Sequence, residues 1–208
     1  MAKEYEVSDM IREIRVAIDS NQDSDQLSGI GDIDTLSLDE IIRSKIAEAA
    51  RVVVLNAPSY LLDGGDSLGT TVTWNGTSGR MTLPADFLRL VVFKMSDWSR
   101  GVTVPISETD PMYAQQSSRW AGVRGNPQKP VVAIVPDAEG QVLEFYTSKG
   151  EVEKASYIAV PKVTDDKIGL CEKLHDATVY YAAYLTAVSI GDKELAEALI
   201  GIVNELNK

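Results

Sequence analysis

One cysteine and one histidine are all that this 208-residue chain offers from the side chains most used for nucleophilic and metal chemistry. The single thiol, Cys171, excludes an internal disulfide and fits a reducing compartment. Cys171 and His175 stand four residues apart, on one turn if the stretch is helical. A Cys–His nucleophile would also need an orienting group and an oxyanion donor. Asp176 adjoins the histidine in sequence but is expected to point elsewhere on the helix. As a zinc site the pair supplies two ligands where structural sites use four. The stretch therefore reads as ordinary helix, with Cys171 a small buried apolar residue.

Other absences narrow the field further. The longest apolar runs, "RVVVLNAP" and "LRLVVF", fall far short of the roughly 20 residues a membrane helix needs. The N-terminus "MAKEYEVSD" has no apolar core of a secretory signal. Positive charge is scarce: 20 Lys and Arg against 31 Asp and Glu leave a net charge of −11. Such a surface does not grip nucleic acid by displacing counterions from phosphates. "LDGGDSLGT" lacks the lysine of a phosphate cradle. "GDIDTLSLDE" matches only part of a calcium loop and lacks its distal glutamate, so capping and solvation account for Asp32, Asp34 and Asp39. "GVRGNPQKP", with Arg124 and Lys129, is too small a basic loop for a nucleic-acid stripe. No catalytic, cofactor-binding or metal-binding residues are assigned.

What is present is a clear order of elements. Residues 7–57 read as two helices around a long polar loop. Met10, Ile14, Ala17 and Ile18 recur at helical spacing behind Ser8, a candidate N-cap. Ser37 and Glu40 form an S-x-x-E capping box ahead of Leu38, Ile42, Ile46, Ala49 and Val53, and Pro58 ends that helix. Residues 69–163 read as β, beginning with a hairpin at "NG" and continuing through "LRLVVFKM", "VTVPI", "PVVAIVP", "QVLEFYTS" and "ASYIAVP". "ETDPMYAQQSSRW" breaks the alternation, as a short helix or an irregular excursion. Residues 164–208 read as a closing α-hairpin. Leu170, Leu174, Ala177, Tyr181 and Leu185 form one stripe, and Gly191 ends the first helix. The expectation is a single α+β domain over 1–208, a small helical bundle with an inserted antiparallel β layer.

The stretch "MTLPADFLRLVVFKMSDW", residues 81–98, carries the most information. Pro84 cannot donate a ladder hydrogen bond and ends a strand. Asp86 can turn the backbone, and Phe87, Leu88, Leu90 and Val92 enter the core. This stretch, followed by "AQQSSRWAGVRGNPQKPVVAIV", "LEFYTS", "YIAVPKV" and a helix with "VYYAAYLTAV", resembles the head–tail adaptor proteins of tailed bacteriophages. That group includes the tail tubular, gatekeeper-type ring proteins of short-tailed phages. The likeness covers about residues 35–208.

The resemblance implies a virion structural protein without catalytic residues, located in the neck or tail and present in the host cytoplasm during assembly. It implies a homo-oligomeric ring, a dodecamer, below the portal protein and above the next tail component. DNA would pass through the channel without specific binding, and no membrane is involved. Within that frame, Trp98, Tyr113, Trp120 and Arg124 are candidate subunit or partner contacts, since tryptophan, tyrosine and arginine are enriched in interface cores. Asp32, Asp34 and Asp39 are candidate lumen acids. Two alternatives stand beside this: a non-phage cytoplasmic scaffold, and a carboxylate-based hydrolase.

Overall fold

The computed structural model describes residues 3–18, 36–62, 64–76, 78–120, 122–138 and 140–206. In chain order the first elements are β1 (Lys3–Glu6), α1 (Val7–Ala17), α2 (Leu38–Asn56), β2 (Asp66–Ser67), β3 (Thr73–Asn75) and β4 (Ser78–Thr82). Next come β5 (Phe87–Met95), β6 (Ile106–Ser107), α3 (Pro111–Gln115), β7 (Val132–Asp137) and β8 (Gly140–Phe145). The chain closes with β9 (Val152–Ala159), β10 (Val163–Thr164), β11 (Lys167–Leu170), α4 (His175–Ile190) and α5 (Lys193–Leu206). These make a mixed α+β chain of two compact units, Met1–Asp63 with Pro161–Lys208, and Gly64–Val160. It is richer in sheet than the sequence reading expects.

The first unit holds α1, α2, α4 and α5 with a three-stranded sheet ordered β1-β11-β10. The capping box forms as expected. The Glu40 backbone N–H donates to Ser37 Oγ at 3.3 Å, and the Ser37 N–H donates to the Glu40 carboxylate at 2.7 Å. That donation, with the Ser37 hydroxyl, holds the Glu40 pKa below its usual value. Leu38, Ile42, Ile46, Ala49 and Ala50 then bury one face of α2, which stops at Asn56 ahead of Pro58. α4 is apolar around its whole circumference, as a helix enclosed by others must be. It packs on α1, α2 and α5, with Ala182, Ala183 and Ala187 fully buried. Thr178 and Thr186, equally buried, return their hydroxyls to the carbonyls of Leu174 and Ala182. Gly191 ends α4 at φ 85°, in the left-handed region.

Several local expectations give way here. α1 starts at Val7 and is capped by Glu6 rather than Ser8. β1 runs straight into the helix, and the Val7 N–H donates to the Asp166 carbonyl at 2.8 Å, so the first turn needs no hydroxyl. Leu170 belongs to β11, paired with Lys3, and not to a helical stripe. The β10–β11 hairpin turns on Asp165 and Asp166, both at positive φ, a conformation aspartate tolerates better than most residues. Cys171 follows β11 outside any α-helix; its thiol is part-exposed and donates to the Leu61 carbonyl at 3.0 Å.

The second unit carries two sheets, ordered β2-β9-β5 and β3-β4-β8-β7-β6. All pairings are antiparallel except β6 with β7, which run parallel. The inserted layer is therefore not wholly antiparallel. A parallel pair needs a crossover between its strands, and the segment Glu108–Val131 supplies it. The core gathers Met81, Phe93, Met95, Trp98, Leu143 and Phe145. Phe93 lies 5.0 Å from Phe145 between ring centroids, and Trp98 meets both rings edge-on. Gly79 is required beside them, because an added Cβ would collide with the Phe145 ring.

Around Pro84 the chain turns as expected, with the Phe87 N–H donating to the Pro84 carbonyl at 3.0 Å. Asp86 acts across the sheet instead of along the backbone. Its carboxylate accepts from the Tyr157 hydroxyl at 3.1 Å and its carbonyl from the Val160 N–H at 2.7 Å. Burial, with the Asp86 contact, raises the Tyr157 pKa.

Candidate assembly surface

The crossover between β6 and β7, together with the turn after Trp98, forms an excursion over residues 99–131. It has little regular structure yet is pinned at several points. Asp110 caps α3 by accepting the Met112 N–H at 2.8 Å, and Pro111 occupies the first helical turn, where its missing N–H costs nothing. Gln116 is buried and bridges two parts of the excursion. Its Nε2 donates to the Met112 carbonyl at 2.8 Å, and its Oε1 accepts the Gly125 N–H at 2.7 Å. Asn126 Oδ1 accepts from the backbone N–H groups of Gln128 and Lys129. The Ser99 N–H donates to the Pro127 carbonyl at 2.9 Å, tying the start of the excursion to its end.

A buried carboxylate anchors α3 to the sheet. Glu144, on β8, accepts the Tyr113 hydroxyl at 3.0 Å and the Tyr146 hydroxyl at 2.9 Å, and pairs with Arg80 on the neighbouring strand. Desolvation, reinforced by the Glu144 carboxylate, raises the pKa of both tyrosines. Their hydroxyls therefore stay protonated as donors at neutral pH. With Arg80 and two hydroxyls around it, this carboxylate is fully engaged, an arrangement suited to holding α3 in place.

On this pinned frame the outward side chains include several that are apolar or cationic. Val104 is 75% exposed and Trp120 66%, with Met112 and Val123 also exposed. Val104 and Met112 line a groove of about 420 Å³ with Arg100, Ile106 and Lys129. Arg119 lies over the Trp120 ring, 5.5 Å from its centroid. Arg124 is half-buried, and its Nε is buried without a hydrogen-bond partner.

The four residues singled out as contacts thus fall in three settings. Trp120 and Arg124 sit on the outward turn of the excursion, joined by the Arg124 N–H donating to the Trp120 carbonyl. Tyr113 lies beneath it, as the anchor to Glu144. Trp98 is only 3% exposed and is part of the core at the root of the excursion. Val104, Met112, Arg100 and Lys129 escaped the sequence reading as contacts. "VTVPI" looks like a strand, whereas only Val102 bridges to Phe93 and only Ile106 enters β6. The signal available was that Val104 and Met112 flank two prolines, Pro105 and Pro111, where strand pairing is poor.

Of the acids, Asp39 stands in the first turn of α2 and pairs with Arg15 at 2.6 Å. Asp32 and Asp34 lie outside the described residues. His175 begins α4, stacks on Tyr5 at 4.2 Å and contacts the Glu13 and Asp176 carboxylates at 3.3 and 3.1 Å. Asp176 thus turns back onto the ring rather than away from it. The imidazole and the Cys171 thiol are engaged with separate partners. Among the described residues, no group of three or more His, Cys, Asp or Glu could hold a metal ion, and no helix is long and apolar enough to cross a membrane.

Comparison with known proteins agrees with the order of elements. No curated protein matches the chain. A family model described as SU10 adaptor protein matches residues 5–201, spanning the elements from β1 into α5. The chain belongs to the SU10 adaptor protein family, and so to the phage head–tail adaptors.

Proposed function

We propose that the protein is a ring-forming head–tail connector. Copies assemble below the portal protein, twelve to a ring, extend the DNA channel and receive the next tail component on the far side. The role is structural, performed in the virion neck after assembly in the host cytoplasm, and needs no catalytic group or cofactor. The observation that carries this is the family match across residues 5–201. The rigidly held apolar surface of the excursion supports it, because exposed tryptophan and aliphatic side chains fixed by buried hydrogen bonds fit a preformed contact surface. The net charge of −11 supports passage of DNA without adhesion.

The test is the native mass of the full chain, alone and mixed with the portal protein of the same phage. A ring, or a portal complex with one adaptor copy per portal subunit, is expected. A chain that stays monomeric at every concentration and ignores the portal would overturn the proposal.

A further inference from the structure

Within the connector reading, on which this inference rests, each of the two units carries an exposed face, and the two are of matching chemistry. The first is the excursion. Residues 99–131 carry four cations, Arg100, Arg119, Arg124 and Lys129, against two acids, Glu108 and Asp110. Asp110 is committed to capping α3. Arg100, Arg119 and Lys129 form no ion pair among the described residues; Arg100 and Lys129 line the groove with the exposed Met112 and Val104, and Arg119 lies over the exposed Trp120. A segment that sets cations beside exposed apolar side chains is unexpected on a chain with a net charge of −11.

The second face is the outer side of α5. Ala196, Leu199 and Val203 bury its inner side. Outward, Glu194, Glu197 and Glu205 recur at helical spacing, all exposed, and none forms an ion pair among the described residues. Ile202 and Leu206 border them on one side, between the glutamates and the buried face, 39% and 41% exposed. Its single cation, Lys193, is the first residue of the helix. Acids beside two aliphatic side chains are the complement of cations beside a tryptophan and a methionine.

We infer that the excursion of one copy receives the α5 outer face of a second copy, Ile202 and Leu206 covering Trp120 and Met112 while Glu194, Glu197 and Glu205 face Arg119, Arg100 and Lys129. The contact joins two different surfaces, so it is heterologous. Contacts of that kind run head to tail and close into a ring when the rotation allows. The buried aromatic anchor supplies affinity, and the charged rim supplies register and rejects wrong neighbours. Association is accordingly weakened by salt.

The experiment is charge reversal on the full-length protein, read by native mass alone and on the portal protein, with melting curves confirming that the exposed substitutions leave the fold intact. One variant carries Arg119→Glu and Lys129→Glu; the other carries Glu194→Arg and Glu197→Arg. Each alone sets like charges against each other at every contact and is expected to weaken copy–copy association about tenfold or more. An equimolar mixture is expected to recover assembly, with the two variants strictly alternating, because each reversed patch then meets a reversed helix and each native patch a native helix, of opposite sign in both cases. Trp120→Ala is expected to weaken association without being rescued by either. If the wild type assembles and the reversals assemble equally well, or if mixing restores nothing, this inference is overturned while the connector reading stands. If the wild type neither self-associates nor joins the portal, both fall together.

Discussion

The two units of this chain differ in charge and in what fills their interiors. The helical unit holds eleven Lys and Arg against twenty-one Asp and Glu, a net of −10; the β unit holds nine against ten, a net of −1. Nearly all of the acidity that looks like a property of the whole chain is therefore local. Their interiors differ as well. The helical unit packs small residues, Ala49, Ala50, Ala182 and Ala183, so that helices approach closely, whereas the β unit is centred on interlocked aromatic rings. One unit carries a net acidic charge and the other is nearly neutral. In the proposed connector role, a subunit that lets DNA pass and binds its neighbours would need both.

The largest test of this contrast is to truncate each interior in turn. Phe145→Ala removes the ring that meets both Phe93 and Trp98 and is expected to cost about 3–5 kcal/mol. The loss should appear first in the fluorescence of Trp98 during urea unfolding, with the helical signal at 222 nm changing less. Ile46→Ala, at a fully buried position of α2, is expected to cost about 2–5 kcal/mol and to reverse that order. If both probes shift together for both variants, the units do not respond separately and the comparison is broken.

A smaller effect sharpens the picture of the excursion. Tyr113→Phe removes one of the two hydroxyls on Glu144 and is expected to cost about 1 kcal/mol. Hydrogen exchange should quicken across residues 111–125 and leave β7 and β8 protected. Unchanged exchange would mean that Gln116 alone holds α3.

The smallest expected effect is acid sensitivity at Asp97. Burial would raise its pKa, but hydrogen bonds from Ser148 and from the Lys149 N–H outweigh this and lower it. A carboxylate with a lowered folded-state pKa stabilises the fold above its unfolded pKa of about 3.9, and that contribution disappears as pH falls through the folded value. Asp97→Asn should therefore flatten the fall in stability below about pH 4. A melting temperature that drops identically in both proteins would remove Asp97 as the cause.

The elements legible in the sequence are those fixed by local chemistry. The Ser37–Glu40 box, the stop before Pro58, Gly191 and the turn at Pro84 are each written within a few residues, and each is present. The β1-β11-β10 sheet was not legible. "KEYE" is polar, β10 is two residues long, and the turn uses Asp-Asp where glycine is the usual signal. The parallel β6–β7 pair was hidden for the same reason: two residues carry no period. Of the candidate surface, Trp120 and Arg124 could be picked out by residue type. The burial of Trp98 and the engagement of Tyr113 with Glu144 depend on partners dozens of residues away, which no local pattern encodes.

The β unit enters the chain at Gly64 and leaves at Val160, and its entering and leaving strands are hydrogen-bonded neighbours, with Asp66 opposite Tyr157 and Ser67 opposite Ser156. Gly65 makes that approach possible, at φ 71° and with no room for a Cβ beside the Tyr157 carbonyl. Residues on both sides of the β unit thus belong to one unit, and the chain enters and leaves the other through a two-stranded stem. Closing such a stem over a different loop costs little chain entropy. The β unit is thus an insertion whose length can change while the two points at which it joins the helical unit stay side by side.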